Sequence, residues 1–169
     1  YITLNDAYEQ GTSMHGSPLE WELCDVSDDA TEEDYEGSQN MYNAFGAYIK
    51  KKKDCQGKSG CFAEKYLYIN GTEWEDNINT APHRYKIITN DGMSMAFHAY
   101  SHDCSKIQED SDLRPICGLV FVDINGPNKG KNMMGDDLFA FDLTEDGIFP
   151  HGAATDTCLH QHCMVAGLH

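Results

Sequence analysis

The stretch RYKIITNDGMSMAFHAY, from Arg84 to Tyr100, limits the fold more than any other part of the chain. Two runs rich in β-forming residues flank Asp91-Gly92, a dipeptide that readily takes the positive φ of a tight hairpin turn. Two adjacent antiparallel strands follow from it. The same grammar continues downstream. Residues 117–124 read as a buried strand and residues 138–143 as another, and TEDG at 144–147 turns the chain again before IFPHG. Upstream, KYLYIN is β-prone and ends at Gly71.

The first third of the chain has helical spacing instead. In YITLNDAYEQ, Tyr1, Leu4 and Tyr8 share one helical face with Ile2 beside them, and the helix is expected to end near Gly11. In SQNMYNAFGAYIKKKKD, Met41, Phe45, Tyr48 and Ile49 recur at i, i+4, i+7 and i+8, with Ser38 as N-cap. That spacing predicts a second helix over about residues 39–52. Between the two, CDVSDDATEEDYEGS has no periodicity and reads as loop. Helices first and consecutive strands afterwards define an α+β fold, an antiparallel meander with one face packed on helix.

The net charge of −16 argues against nucleic acid as a partner, because phosphate binding needs a basic stripe. The only basic run, residues 50–53, reads as a solvated helix end. No apolar run approaches the roughly 20 residues that a membrane-spanning helix needs. No GxSxG, HExxH or phosphate-binding loop occurs, so nothing points to catalysis.

Seven cysteines are present, at positions 24, 55, 61, 104, 117, 158 and 163, without the paired CxxC spacing of a zinc site. They read as a disulfide framework formed in an oxidising compartment. Cys55 with Cys61 closes a tight loop and Cys104 with Cys117 a longer one. Cys158 and Cys163 pair with each other, or one of them pairs with Cys24; spacing leaves this open. The segment CLHQHC also offers two thiolates and two imidazoles to zinc, at a spacing compressed for such a site. Asn70 heads an NGT sequon.

The loop in FVDINGPNKGKNMMGDDLFAFDL concentrates polar oxygen. Calcium takes about six to eight oxygen ligands, and Asp123, Asn125, Asn128, Asp136 and Asp137 are the candidate ligands, with Gly126, Gly130 and Gly135 allowing the backbone to turn inward. The spacing is not that of an EF-hand, since Pro127 occupies a ligand position and no Glu closes the loop. The competing reading is turn chemistry, in which Asn and Asp side chains bond their own backbone. Neighbouring Asp136 and Asp137 point to opposite faces of a strand, which disfavours an acid/base pair. Trp21, Trp74, Tyr42, Tyr48, Tyr66 and Tyr68 read as packing residues, with a sugar-stacking surface as the alternative.

Several motifs resemble the type IV pilins and the pseudopilins of type II secretion. They are LNDAYEQ, SPLEWEL, KKKKDC, ITNDGMSMAF and, most specifically, VDINGPNKG…GDDLFAFDL…DGIFPHG. The resemblance covers residues 1–152, the expected globular head; residues 153–169 form a Cys/His-containing tail without a match. It implies a non-catalytic structural subunit of a bacterial extracellular filament, with calcium in the loop region of some members. It also implies an apolar N-terminal helix following a Phe-Thr-Leu-x-Glu-type processing site. That helix would anchor the subunit in the inner membrane before assembly, and then carry self-association and contacts with other pilin or secretion-system subunits. The present sequence contains neither the helix nor the processing site, and is expected to be a head cut from a longer chain. The alternative is a secreted calcium-dependent adhesin or carbohydrate-binding module.

Overall fold

The computed structural model describes residues 2–25, 31, 34–107 and 115–151. Two helices precede six strands: α1 (Ile2–His15), α2 (Tyr35–Ala44), β1 (Lys51–Gln56), β2 (Tyr85–Thr89), β3 (Ser94–Ala99), β4 (Gly118–Asp123), β5 (Leu138–Thr144) and β6 (Gly147–Pro150). The strands form one antiparallel sheet in the order β1-β2-β3-β4-β5-β6, an unbroken meander. The expected strands at 117–124 and 138–143 are β4 and β5, and TEDG turns β5 into β6. Asp91-Gly92 makes the β2–β3 turn, with Gly92 at φ 100° and the Thr89 N–H donating to the Met93 carbonyl at 2.9 Å.

The helix boundaries differ from expectation. The first helix runs past Gly11 to His15 and stops at Gly16, whose φ of 76° is open to glycine at little cost. Gly11 stays inside because α1 meets the end of α2 there: a Cβ at Gly11 would lie 2.7 Å from the Ala44 carbonyl oxygen and from Phe45 Cβ. The second helix begins at Tyr35, within the stretch read as loop, and ends at Ala44. Ser38 is therefore not its cap. It is buried in mid-helix, where its hydroxyl accepts the Ala99 N–H at 3.1 Å and ties α2 to β3. The lysines at 51–53 form no helix end; they are exposed along edge strand β1. Their charge is what a sheet edge needs to discourage pairing with another strand. KYLYIN forms only isolated bridges, from Leu67 to Glu73 and Met133, because the chain there crosses the sheet rather than joining it.

Both faces of the sheet are covered, one more than the pattern foretold. On one face α1 and α2 pack over rows running across the strands, Tyr85–Phe97–Val120–Phe141 and Ile87–Met95–Val122. Trp21 and Phe45 stack at 5.6 Å between the helices, and Tyr42 stacks on Tyr85 at 4.0 Å. The other face is closed by the long β1–β2 connection, which buries Phe62, Tyr66 and Ile78 against Ile88, Ala96, Leu119, Phe121 and Leu138. Irregular backbone can be buried only if its polar groups are satisfied. Lys86 of β2 does much of this. Fully buried, it donates through Nζ to the carbonyls of Gly57, Asn79 and Ala81, at 3.2, 3.0 and 2.6 Å. Burial and the nearby Arg84 charge lower its pKa to about 8.

Candidate functional site

Two of the expected disulfides are present, Cys55–Cys61 and Cys104–Cys117. The first fastens the start of the β1–β2 connection; the second ties the start of the β3–β4 connection to its end, just before β4. Cys24 has no disulfide partner among the described residues. Cys158 and Cys163, and with them the CLHQHC zinc alternative, lie outside the described residues. Of the six aromatics, Trp21, Tyr42 and Tyr66 are core, Tyr68 and Trp74 are half-buried against the second core, and Tyr48 is exposed.

The Asp/Asn loop joins β4 to β5 and folds around two inward carboxylates. Asp123 is fully buried at the end of β4. Its Oδ1 accepts the backbone N–H groups of Asn125 and Gly126 at 3.0 and 2.9 Å, and its Oδ2 accepts the Tyr66 hydroxyl at 2.5 Å. Burial raises the Asp123 pKa, against the pull of these three donors, and the charge of Asp137 adds to the rise. Asp137 Oδ1 accepts Asn125 Nδ2 at 2.5 Å and its Oδ2 accepts the Lys131 N–H at 2.6 Å. Gly130 makes room for this: a Cβ there would lie 2.7 Å from Asp137 Oδ1. Asp136 points outward and pairs with Lys131 Nζ at 2.9 Å, and Asn128 is exposed on the loop.

The loop thus brings Asp123, Asn125 and Asp137 into one network and leaves Asn128 and Asp136 on the surface. The network is built from donors aimed at carboxylate oxygens. A cation there would have to displace N–H groups that already hold the turn. The partner that sequence reasoning missed is Tyr66, 57 positions upstream, which locks the second-face layer onto β4. Alternation could not reveal it, because Tyr66 lies in no regular strand.

Among the described residues, the group of metal-ligating side chains drawn within 4.8 Å of one another is a different one: Asp25, His102 and Asp103, all exposed. Asp25 accepts the His102 backbone N–H at 3.0 Å and its Nδ1–H at 2.9 Å, which raises the pKa of His102. Asp103 is held down to about 2 by hydrogen bonds from Ser105 and Ser101. The group fastens the loop after β3 to the segment after Leu23. A buried counterpart closes the last strands, where His151 Nδ1–H donates to Asp142 at 2.6 Å.

The chain matches no protein-family model, no curated protein and no solved structure. The class defined by the fold alone is an α+β domain with a six-stranded antiparallel meander and two disulfides. Those disulfides fit folding in an oxidising compartment. No helix among the described residues is long and apolar enough to cross a membrane.

Proposed function

We propose that this domain is the outward-facing head of a non-catalytic filament subunit of the type IV pilin or pseudopilin kind, displayed outside a bacterial cell. The observation that carries the reading is the order of the fold: an N-terminal helix laid on one face of an antiparallel meander whose strands follow one another without a crossover. The motif resemblance falls on the same elements, with its most specific part spanning β4, the Asp/Asn loop, β5 and β6.

The mechanics of the head support this reading. A subunit held through its first helix must resist that helix being pulled off. Here α1 buries Leu4, Ala7, Tyr8 and Gly11. Tyr8 donates its hydroxyl to the Glu145 carbonyl at 2.7 Å, in the β5–β6 turn at the far end of the meander. One of the two sheet edges is poor in self-association, since β1 presents exposed lysines. Under this proposal, assembly rests on an apolar helical segment N-terminal to Tyr1, which also anchors the subunit in the inner membrane beforehand.

The coding sequence upstream of Tyr1 tests the proposal. It is expected to encode a short basic leader, a Phe-Thr-Leu-x-Glu-type processing site and an apolar helix continuous with α1. A conventional signal peptide with a small-residue cleavage site just before Tyr1 would overturn it in favour of a secreted adhesin. Under either reading, melting in calcium against chelator tests whether the Asp/Asn loop holds an ion. Coincident curves are expected if hydrogen bonds alone hold the turn.

A further inference from the structure

Along α1, Asp6, Gln10, Ser13 and Met14 recur at i, i+4, i+7 and i+8 and so share one exposed stripe of the helix. Two turns face that stripe, the short 3₁₀ turn Gly46–Tyr48 and the β2–β3 turn. They are fastened to each other where the Asn90 N–H donates to the Lys50 carbonyl at 3.0 Å. Between α1 and these turns lies a hollow of about 340 Å³, with Ala7, Ile49 and Met93 as its apolar floor. A second hollow of about 590 Å³ shares Asp6, Gln10 and Tyr48 with the first and continues along α1 to Met14. Together they make one groove, and each part has the volume of a small-ligand site, roughly 300–1,000 Å³.

The rim of the first hollow holds two carboxylates, Asp6 and Asp91, two amides, Gln10 and Asn90, and the Lys50 ammonium. All five side chains are exposed. Asp91 accepts the Thr89 hydroxyl; the other four have no side-chain hydrogen bond among the described residues. They can turn to a ligand without giving up a partner inside the protein. Tyr48 stands where the two hollows meet. It is 37% exposed, and its hydroxyl lies 3.3 Å from His15 Nε2, which steadies the ring.

The mixture of groups selects the class of ligand. A hard metal ion needs oxygen ligands alone, and a phosphate needs a surplus of cations. An apolar molecule would take the rim groups out of water without replacing their hydrogen bonds. A polyol fits, because each hydroxyl both donates and accepts and so pairs with carboxylate, amide and ammonium alike. The apolar floor and the exposed tyrosine ring suit the C–H faces of a sugar ring. Carboxylates outnumber ammonium groups at the rim, in a chain of net charge −16, which disfavours acidic sugars.

We propose that this groove binds a neutral saccharide of two or more rings. Asp6 and Gln10 hold hydroxyls where the hollows join, Asn90, Asp91 and Lys50 hold those of the ring in the first hollow, and Tyr48 stacks against a ring face. The inference goes beyond the filament reading and does not rest on it, since the groove lies wholly within the head.

Amide NMR of the whole chain tests it, with lactose, cellobiose, mannobiose and N,N′-diacetylchitobiose as probes at millimolar concentration. At least one is expected to shift the amides of residues 6–10, 48–50 and 90–93 together and saturably. Silence from all four, or shifts only elsewhere, overturns the site. Digalacturonate is expected to leave these amides unmoved, and tighter binding by it overturns the choice of a neutral ligand. Shifts caused by tetralysine and by no saccharide would make this a peptide groove, and shifts that grow with protein concentration alone would make it a contact between copies; either result refutes the proposal. Asp6→Ala, Gln10→Ala and Tyr48→Leu change exposed side chains, and each is expected to weaken saccharide binding about fivefold or more, as the loss of one hydrogen bond or ring contact does. Lys58→Ala, outside the groove, is expected to leave it unchanged. Equal binding by the parent and all three groove variants refutes the assignment.

Discussion

Lowering the pH from 7 to 5 should destabilise this domain through one buried and one partly buried histidine, and the size of the effect can be worked from their surroundings. Burial, then the Arg84 charge, pushes His98 far below its ordinary 6.5. Burial and Arg84 bring His83 to about 4, against the opposing charges of Asp76 and Asp34. A histidine whose folded pKa is depressed binds its proton more readily in the unfolded chain. Its contribution is complete above 6.5 and is lost as pH falls below that value. For His98 the loss approaches about 1.4 kcal/mol per pH unit, or about 2 kcal/mol between pH 7 and 5. His83 is half exposed, and solvent screening reduces its share to about 1 kcal/mol or less. Two groups act in the opposite direction. His102, raised by Asp25, stabilises below 6.5, and the raised pKa of Asp123 relieves its burial cost as acid approaches. The difference between parent and His98→Phe therefore isolates the term. In urea unfolding at pH 7, 6 and 5, the parent should lose stability more steeply than the variant by about 1 kcal/mol per unit. Equal slopes, or a His98 ring that titrates near 6.5 in the folded protein, would refute the reasoning.

Tyr66→Phe removes a donor from Asp123 and an acceptor from the Ala63 N–H; it should cost about 2 kcal/mol in chemical unfolding, and a cost below about 0.5 would mean that the Asx turn holds the loop unaided. Replacing Cys104 and Cys117 by alanine opens a loop of sequence separation 13 and should cost about 3 kcal/mol, against about 2 for the Cys55–Cys61 loop of separation 6, read as the order of the two melting midpoints.

Sequence pattern was a good guide wherever local chemistry decides. Asp91-Gly92, TEDG and the apolar runs around them foretell β2 to β6, because a hairpin turn and the alternation beside it are properties of neighbouring residues. It misled where neighbours far along the chain decide. Ser38 has the composition of a cap, yet it is buried because Ala99 needs an acceptor. The lysines at 51–53 continue the helical sequence and still form a strand, because β2 offers an open edge. Propensity is weak beside such pairing.

The candidate loop shows the same division. Its turn chemistry was legible in the Asx residues and glycines, because an Asx turn spans only two or three residues. The fate of its carboxylates was not, because Tyr66 and Lys131 decide which oxygens are occupied. Covering the second face makes this general. A helix-covered face announces itself by a period of 3.6, whereas a face covered by irregular chain announces nothing, and its stability rests on single polar anchors. Lys86, Arg84, Tyr66 and Asn79 are those anchors, and each joins the β1–β2 connection to the sheet or to itself. A layer held by a few hydrogen bonds to charged groups responds to pH and ions far more than an apolar one. The half of the domain that the sequence disclosed least is therefore the half where solution conditions should act most.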